Sequence, residues 1–417
     1  MGLFFDDPLH EMFAANVALG LASRGGSEPG EIVSTCARIT DGDDSSWFDE
    51  WYATAERIAT GAHDSAAAGH RVSAREGFLR AASYYMLAYR PLIGAPVDPR
   101  LTDAFAKQQQ SFEHVAALHD VPAEPIAVPL DGATMPGWFF AGGERRAPTV
   151  VATNGYDMTM PELFLGVARP ALRRGYHCVV FDGPGQGRML VEQQVTMRPD
   201  WEQVVTPVLD AVLARPDVDG ARVALVGWSL GGYLALRAAS GEPRFAACIA
   251  DPGLFGIRES MLARLHAMQV PESVIDAYPD LPADVLEPME RMAATDRVFH
   301  WSMARRGYWV HGVDSVAAYV RATADFSLAG RLGNVRFPTL VTQADADPLS
   351  GTADLVVAGL NPAPSGRASG RRPGRWSRRR VAARTVSRRR APPTCRRRAL
   401  RPRPAVRTRR WCVRPPA

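Results

Sequence analysis

Ser229 is the residue whose surroundings best suit it to chemistry. A short apolar run, Val223-Ala224-Leu225-Val226, leads into Gly227-Trp228-Ser229-Leu230-Gly231-Gly232, and an Ala/Leu-rich segment of helix-forming composition follows to Ala239. Strand, sharp turn and helix are the expected order. Glycines two before and two after the serine let the turn tighten and hold the hydroxyl out at its tip. The spacing is that of a nucleophile elbow. A serine hydroxyl is a poor nucleophile unless a base takes its proton, and a third group must orient that base. After such an elbow the acid and then a histidine are expected further along the chain. Residues 339–342 run into Gln343-Ala344-Asp345-Ala346-Asp347-Pro348, which places two carboxylates past a strand end. Asp347 is the preferred orienting acid because the strand has finished and the chain turns back there; Asp345 is the alternative.

Charge developing on an attacked carbonyl oxygen needs two hydrogen-bond donors. The backbone N–H of Leu230 is one, and the loop Asn154-Gly155-Tyr156-Asp157 offers the other, at Tyr156. Asp157 has two readings: a turn or helix cap, or a site residue acting as a neutral acid or a substrate contact. Trp228, beside the serine, and His311, in Trp309-Val310-His311-Gly312, are candidates for the pocket wall.

These residues require a scaffold. Residues 149–153, 178–181, 223–226, 246–250 and 339–342 are short apolar runs mostly separated by helical patterns, the signature of a doubly wound, mostly parallel sheet. Residues 125–129 and 135–141, around Asp131-Gly132, read as an antiparallel pair entering it. From Trp47 to about Leu118 the spacing is helical, with Ser45 or Ser46 as the first cap and a second helix starting at Ser73 with Glu76 in a capping box. The aromatic stripe through Phe78, Tyr85 and Tyr89 reads as helix packing. The expected organisation is a helical N-terminal cap domain over 1–120, core over 121–253, a helical lid insertion over 254–331, core again over 332–360, and an Arg/Pro-rich tail over 361–417. The glycines of Asp182-Gly183-Pro184-Gly185-Gln186-Gly187 fit neither a dinucleotide fingerprint nor a phosphate loop, and the chain's one lysine is Lys107. That loop reads as a tight strand exit beside the site.

Composition narrows the function classes. The net charge of +5 averages two unlike pieces: residues 361–417 hold 20 Arg and no Lys, Asp or Glu, leaving 29 basic against 44 acidic groups over 1–360. An acidic body gives no reason to expect nucleic acid as a partner. The five cysteines lack metal-ligand or disulfide spacing, so neither a metal site nor a disulfide framework is expected. No apolar run is long enough for a membrane span. Asp6 and Asp7 stand where a secretory signal would be positive, so a cytoplasmic protein is expected; the serine site itself leads to the expectation of a small-molecule substrate.

Together, Trp47…Trp51, Gly69-His70-Arg71-Val72-Ser73-Ala74-Arg75, Tyr84-Tyr85, Asn154-Gly155-Tyr156-Asp157, Asp182 to Gly187, Arg198-Pro199-Asp200-Trp201-Glu202 and the Ser229 elbow resemble the α/β-hydrolases related to 2,6-dihydroxypseudooxynicotine hydrolase and the FrsA-like esterases. The resemblance covers about residues 45 to 350. It implies a helical segment closing over the site, often with formation of a homodimer. It also implies hydrolysis of an ester or of a carbon–carbon bond next to a ketone, without a cofactor. Asp157 matches the position of an acidic residue that assists carbon–carbon cleavage, with a shorter side chain.

The pattern breaks after Asp347. A triad histidine is expected some 25 to 35 residues further on, yet His311 is the last histidine in the sequence. The body uses 28 Arg to one Lys, as in GC-rich coding, and a shifted frame in such a gene yields Arg/Pro/Ala/Gly strings. Residues 361–417 therefore read as a frameshift product replacing the last strand, the histidine loop and the final helix. A basic arm for nucleic acid and a non-catalytic, regulatory pocket-binding protein are the other readings. The coding DNA around residues 345–370 is expected to show a histidine-bearing continuation in another frame; its absence from all frames sinks the frameshift reading.

Overall fold

The computed structural model describes residues 2–143, 145–344 and 351–360. Seven strands form one sheet: β1 (Glu124–Leu130), β2 (Ala133–Phe140), β3 (Ala147–Thr153), β4 (His177–Phe181), β5 (Val218–Trp228), β6 (Ala247–Asp251) and β7 (Thr339–Val341). Their order is β1-β2-β4-β3-β5-β6-β7. β1 and β2 form a hairpin across Asp131-Gly132, both at positive φ, as a two-residue hairpin turn requires. β2 pairs antiparallel with β4, and every later pairing is parallel. This is the doubly wound, mostly parallel sheet that the apolar runs predict, and β5 extends well upstream of its apolar kernel.

The period of two along each strand sorts side chains between two cores. Val150 and Ala152 of β3, Cys178 and Val180 of β4, and Val226 of β5 face one core. Val151, Val179, Phe181, Val223 and Leu225 face the other. Each inner strand is thus apolar on both sides, which is why it reads as a continuous apolar run. The first core is shared with the N-terminal helices Asp44–Ala67, Arg71–Tyr89 and Pro99–Ala117. The second is covered by the helices Trp201–Leu213, Gly231–Gly241 and Ala353–Leu360.

The aromatic stripe is packing, with its hydroxyls satisfied: Tyr85 donates to Glu56 at 2.5 Å and Tyr89 to Gln108 at 2.9 Å. The helix starts differ from the sequence reading. Asp43, rather than Ser45 or Ser46, caps the first helix, its carboxylate accepting from both serine N–H groups. The second helix starts at Arg71 without a side-chain cap, following a tight chain reversal at Gly69, whose φ is +78°. Helices Pro8–Glu11 and Pro29–Cys36 precede the segment that the sequence pattern identifies.

Between β6 and β7 lie helices including Ile257–Ala267, Ala283–Thr295 and Val316–Thr323, with a small core of their own around Met261, Leu265, Met289 and Val320. This insertion is tied to the N-terminal helices. The Trp301 indole donates to the Arg90 carbonyl at 2.8 Å, and Arg305 donates to the carbonyls of Ile93 and Leu92 at 3.1 and 3.2 Å. Among the described residues no helix is long and apolar enough to cross a membrane.

Gly227 is where the sheet meets the elbow most tightly: a β-carbon there would fall within the carbonyl of Gly231. Gly227→Ala is expected to cost about 2 kcal/mol or more, since backbone cannot yield as a side-chain tip can. Gly61→Ala, in a helix with nothing within 4 Å of the added carbon, is expected to gain about 0.5–1 kcal/mol. Denaturant midpoints of the two variants check both signs.

Candidate functional site

Ser229 directly follows β5, and Leu230 separates it from the helix Gly231–Gly241. Its φ is +61°, a conformation that a residue with a side chain rarely adopts, and its side chain is on the exposed surface. Two bonds hold the turn: the Ser229 N–H donates to the Asp251 carbonyl at 2.8 Å, and the Gly232 N–H donates to the Ser229 carbonyl at 2.9 Å. Leu230 is the N-cap of the following helix, so its N–H lies at the positive end of the helix dipole, where negative charge is favoured.

The loop after β3 lies against this turn. A β-carbon on Gly155 would sit 2.9 Å from the Ser229 β-carbon and 3.2 Å from the Trp228 carbonyl oxygen. Tyr156 follows directly, so the loop expected to supply the second donor is beside the serine. Gln186, fully buried, holds that loop in place: its side-chain amide donates to the carbonyls of Asn154 at 3.0 Å and Gly155 at 2.8 Å, while its oxygen accepts from the Gly183 N–H at 3.1 Å. The Trp201 indole pins the end of β3 through Thr153 at 2.8 Å. Burial pushes the Asp182 carboxyl, at the start of the Gln186 loop, up to about 7.

Asp157 is nearly inaccessible and is flanked by two arginines. Arg90, at the end of an N-terminal helix, approaches one carboxylate oxygen at 3.8 Å; Arg306, from the β6–β7 insertion, approaches the other at 3.5 Å. The Arg306 guanidinium also lies over the rings of Tyr156 and Trp301, 5.0 and 4.8 Å from their centroids. Arg90 further approaches Glu162 at 4.0 Å, and burial pushes the Glu162 carboxyl up. His311 packs among the rings of Tyr156, Tyr319 and Phe326 at 5.1–5.5 Å. Its Nε2 is buried with no hydrogen-bond partner.

Ser229, Leu230, Tyr156, Asp157 and His311 are therefore linked through direct neighbours. Trp228 differs: its ring lies under Arg24, 4.5 Å from the guanidinium carbon, and against Gly166, so the contacts it makes are with the cap side of the sheet. Asp345 and Asp347 lie outside the described residues, as does the whole segment 361–417. The strand leading to them is stitched to the elbow, because the Thr342 hydroxyl donates to the Asp251 carboxylate and the Thr342 N–H donates to the Ala250 carbonyl at 3.1 Å. A cavity of about 400 Å³ lined by Arg75, His119, Phe164 and Arg169 lies elsewhere, with none of the site residues in its wall.

Sequence reasoning missed Arg90, Gln186, Asp251 and Arg306. The signals were slight: an arginine closing an aromatic helix before Pro91, a glutamine amid glycines, an aspartate at the end of an apolar run, and one arginine among several in the β6–β7 insertion.

Comparison with known proteins bears on the family and the fold. The model of the alpha/beta hydrolase family matches residues 136–394. The 20-hydroxy-prefusarin hydrolase FUS2 of Gibberella moniliformis is 34% identical over 369 residues, covering 83% of this chain and 86% of that protein. Hydrolase LUC6 of a Fusarium species is 33% identical over 337 residues, covering 78% and 80%. Among solved structures, 2,6-dihydroxy-pseudo-oxynicotine hydrolase superposes with a TM-score of 0.64 at 24% identity, covering 82% of this chain and 85% of that one. AbyA5 gives 0.57 at 19%, covering 83% of each. With a family model over more than half its length and relatives of this similarity, the chain belongs to the alpha/beta hydrolase family, as a hydrolase.

Proposed function

We propose that the site is that of a serine hydrolase cleaving an ester or a ketone-adjacent carbon–carbon bond of a small molecule through an acyl-enzyme. The observation that carries this is the geometry of Ser229: positive φ, an exposed side chain, and Gly155 of the neighbouring loop packed on its β-carbon. Ser229 attacks the carbonyl carbon, the N–H groups of Leu230 and Tyr156 receive the oxyanion, and Asp347 is the orienting acid, with Asp345 as its alternative. Asp157, the last residue of that loop, is assigned a role in the site rather than that of a cap, since its carboxylate faces Arg90 and Arg306. We read the protein as cytoplasmic and assign it no cofactor; a homodimer is part of the same reading.

The base is the open position. Residues 312–417 contain no histidine. His311 is a poor substitute, because burial lowers its pKa to about 4, and a base that weak takes little of a serine proton near neutrality. Where the histidine of a comparable triad is removed, turnover falls by on the order of 10⁶. A second reading follows from the same absence: a regulatory protein that keeps the pocket and binds without turnover. The frameshift reading of 361–417 joins the two, although the family match runs on to residue 394.

A fluorophosphonate probe separates them. Ser229 is expected to stay unlabelled in this chain and to label in a version whose segment after about residue 350 is read from a histidine-bearing frame. Labelling of the chain as it stands overturns the missing-base reading, and failure of both versions favours the regulatory one.

His311 gives a pH prediction. Its folded-state pKa is about 4 against an ordinary value of 6.5, so the unfolded chain takes the proton first. The stability that the neutral, buried ring contributes is fully present above about pH 6.5 and is lost as pH falls toward 4, on the order of 3 kcal/mol. Asp182, raised to about 7, acts in the opposite direction, losing stability as pH rises from its ordinary carboxylate range. The difference between the parent and His311→Phe isolates the histidine: between pH 8 and pH 4 the parent is expected to lose about 3 kcal/mol of unfolding free energy relative to the variant. A constant difference across that range disproves the neutral-histidine assignment.

A further inference from the structure

Three segments far apart in sequence converge beside the Tyr156 loop. Arg90 ends a helix of the N-terminal layer, Asp157 follows the oxyanion loop, and Arg306 comes from the β6–β7 insertion. All three are charged and largely withdrawn from water, with side-chain exposures of 10%, 3% and 23%. Their mutual contacts are long for such burial, at 3.5 and 3.8 Å, and several buried polar atoms have no hydrogen-bond partner: Nε of both arginines and one Asp157 carboxylate oxygen. Buried charged groups ordinarily have their hydrogen bonds met. A cluster left this slack has donor capacity to offer a ligand.

Arg306 is the member free to offer it. It is the most exposed of the three, and its single approach to Asp157 is at the edge of hydrogen-bonding distance. Its position is nevertheless fixed. The guanidinium lies over two aromatic rings, and one of them, Trp301, is anchored by its indole N–H on the Arg90 carbonyl. A planar fork held by stacking presents its N–H groups in a set direction, the arrangement suited to two oxygens of one carboxylate. Arg90 stays beside the other Asp157 oxygen, so the carboxylate keeps a cationic neighbour when Arg306 also contacts a ligand.

We propose that Arg306 is the receptor for an anionic group, a carboxylate or an enolate, on the substrate whose carbonyl Ser229 attacks. The assignment rests on the serine-hydrolase reading of the site and adds a substrate class to it: keto or ester compounds that carry a negative charge near the scissile bond. The lid then contributes to recognition directly, through one side chain reaching over the oxyanion loop.

The test uses the full chain and does not depend on turnover. In Ser229→Cys the introduced thiol is alkylated with iodoacetamide, and the modification of its peptide is followed by mass spectrometry. The protecting probes are 3-benzoylpropionate, an aryl ketone bearing a carboxylate, and its neutral amide. The carboxylate is expected to protect at a concentration about ten-fold lower than the amide. Adding Arg306→Gln should erase that preference, and Arg306→Lys should restore only part of it, since a point charge replaces a fork. Equal protection by both probes, or a preference that survives Arg306→Gln, overturns the anion receptor while leaving the site reading intact. Protection by neither probe overturns the pocket at Ser229 and the receptor with it. Thermal unfolding of each variant shows that it is folded, and Arg306→Lys carries the test if Arg306→Gln is not.

Discussion

The structure depends on two backbones approaching each other at Ser229 with no side chain between them. β3 and β5 are parallel neighbours, so their carboxyl ends finish at the same edge and their exit loops must share the space above it. One exit turns sharply into a helix through Ser229, and the other crosses at Gly155, close enough that any β-carbon would collide. Holding a serine at φ +61° costs on the order of 1–3 kcal/mol and persists only where the surroundings over-determine it. Here they do: Asp251 of the next strand takes its N–H, and the first turn of the helix takes its carbonyl. Parallel order, glycine placement and serine exposure are one constraint seen at three scales.

Support for this edge comes from buried polar groups rather than from apolar contact. Gln186 bridges the exits of β3 and β4 with three hydrogen bonds, and Trp201 fastens the last residue of β3. Such groups are costly to bury unless paired, so they have few alternative arrangements. The loop that would receive an oxyanion is thereby set before any ligand arrives, which is where electrostatic stabilisation of developing charge gains its strength. Asp251 extends the same logic to β7, since its carbonyl holds the serine and its carboxylate holds Thr342.

What could be read from the sequence is what is local. Inner strands declare themselves as apolar runs because both faces are buried, and the elbow declares itself because its glycines are spaced by the turn they make. Helix starts are less legible: Asp43 displaces Ser45 and Ser46 as a cap because its carboxylate reaches both of their N–H groups at once. Least legible are Arg90, Gln186, Asp251 and Arg306. Each works through a partner that only the fold brings near, as Arg306 does with Asp157 across 149 residues. Trp228 shows the converse, since adjacency to Ser229 in the chain turns its ring toward Arg24 and Gly166 instead of toward Tyr156.

The charged contacts at Asp157 form a closed circuit: the Arg90 carbonyl holds the Trp301 indole, the Trp301 ring underlies Arg306, Arg306 reaches Asp157, and Asp157 faces the Arg90 guanidinium. Helical layer, insertion and sheet each contribute to it, so none of the three can shift at this point without disturbing the other two. As a source of stability the circuit is a poor choice. Desolvating such charges costs several kcal/mol per ion, and contacts of 3.5 to 4.0 Å recover less than close hydrogen-bonded pairs would. Apolar side chains of similar volume would join the three parts at least as firmly. The arrangement makes physical sense when the unmet donors are counted as part of the site, since an anionic ligand oxygen supplies the partner that the chain withholds.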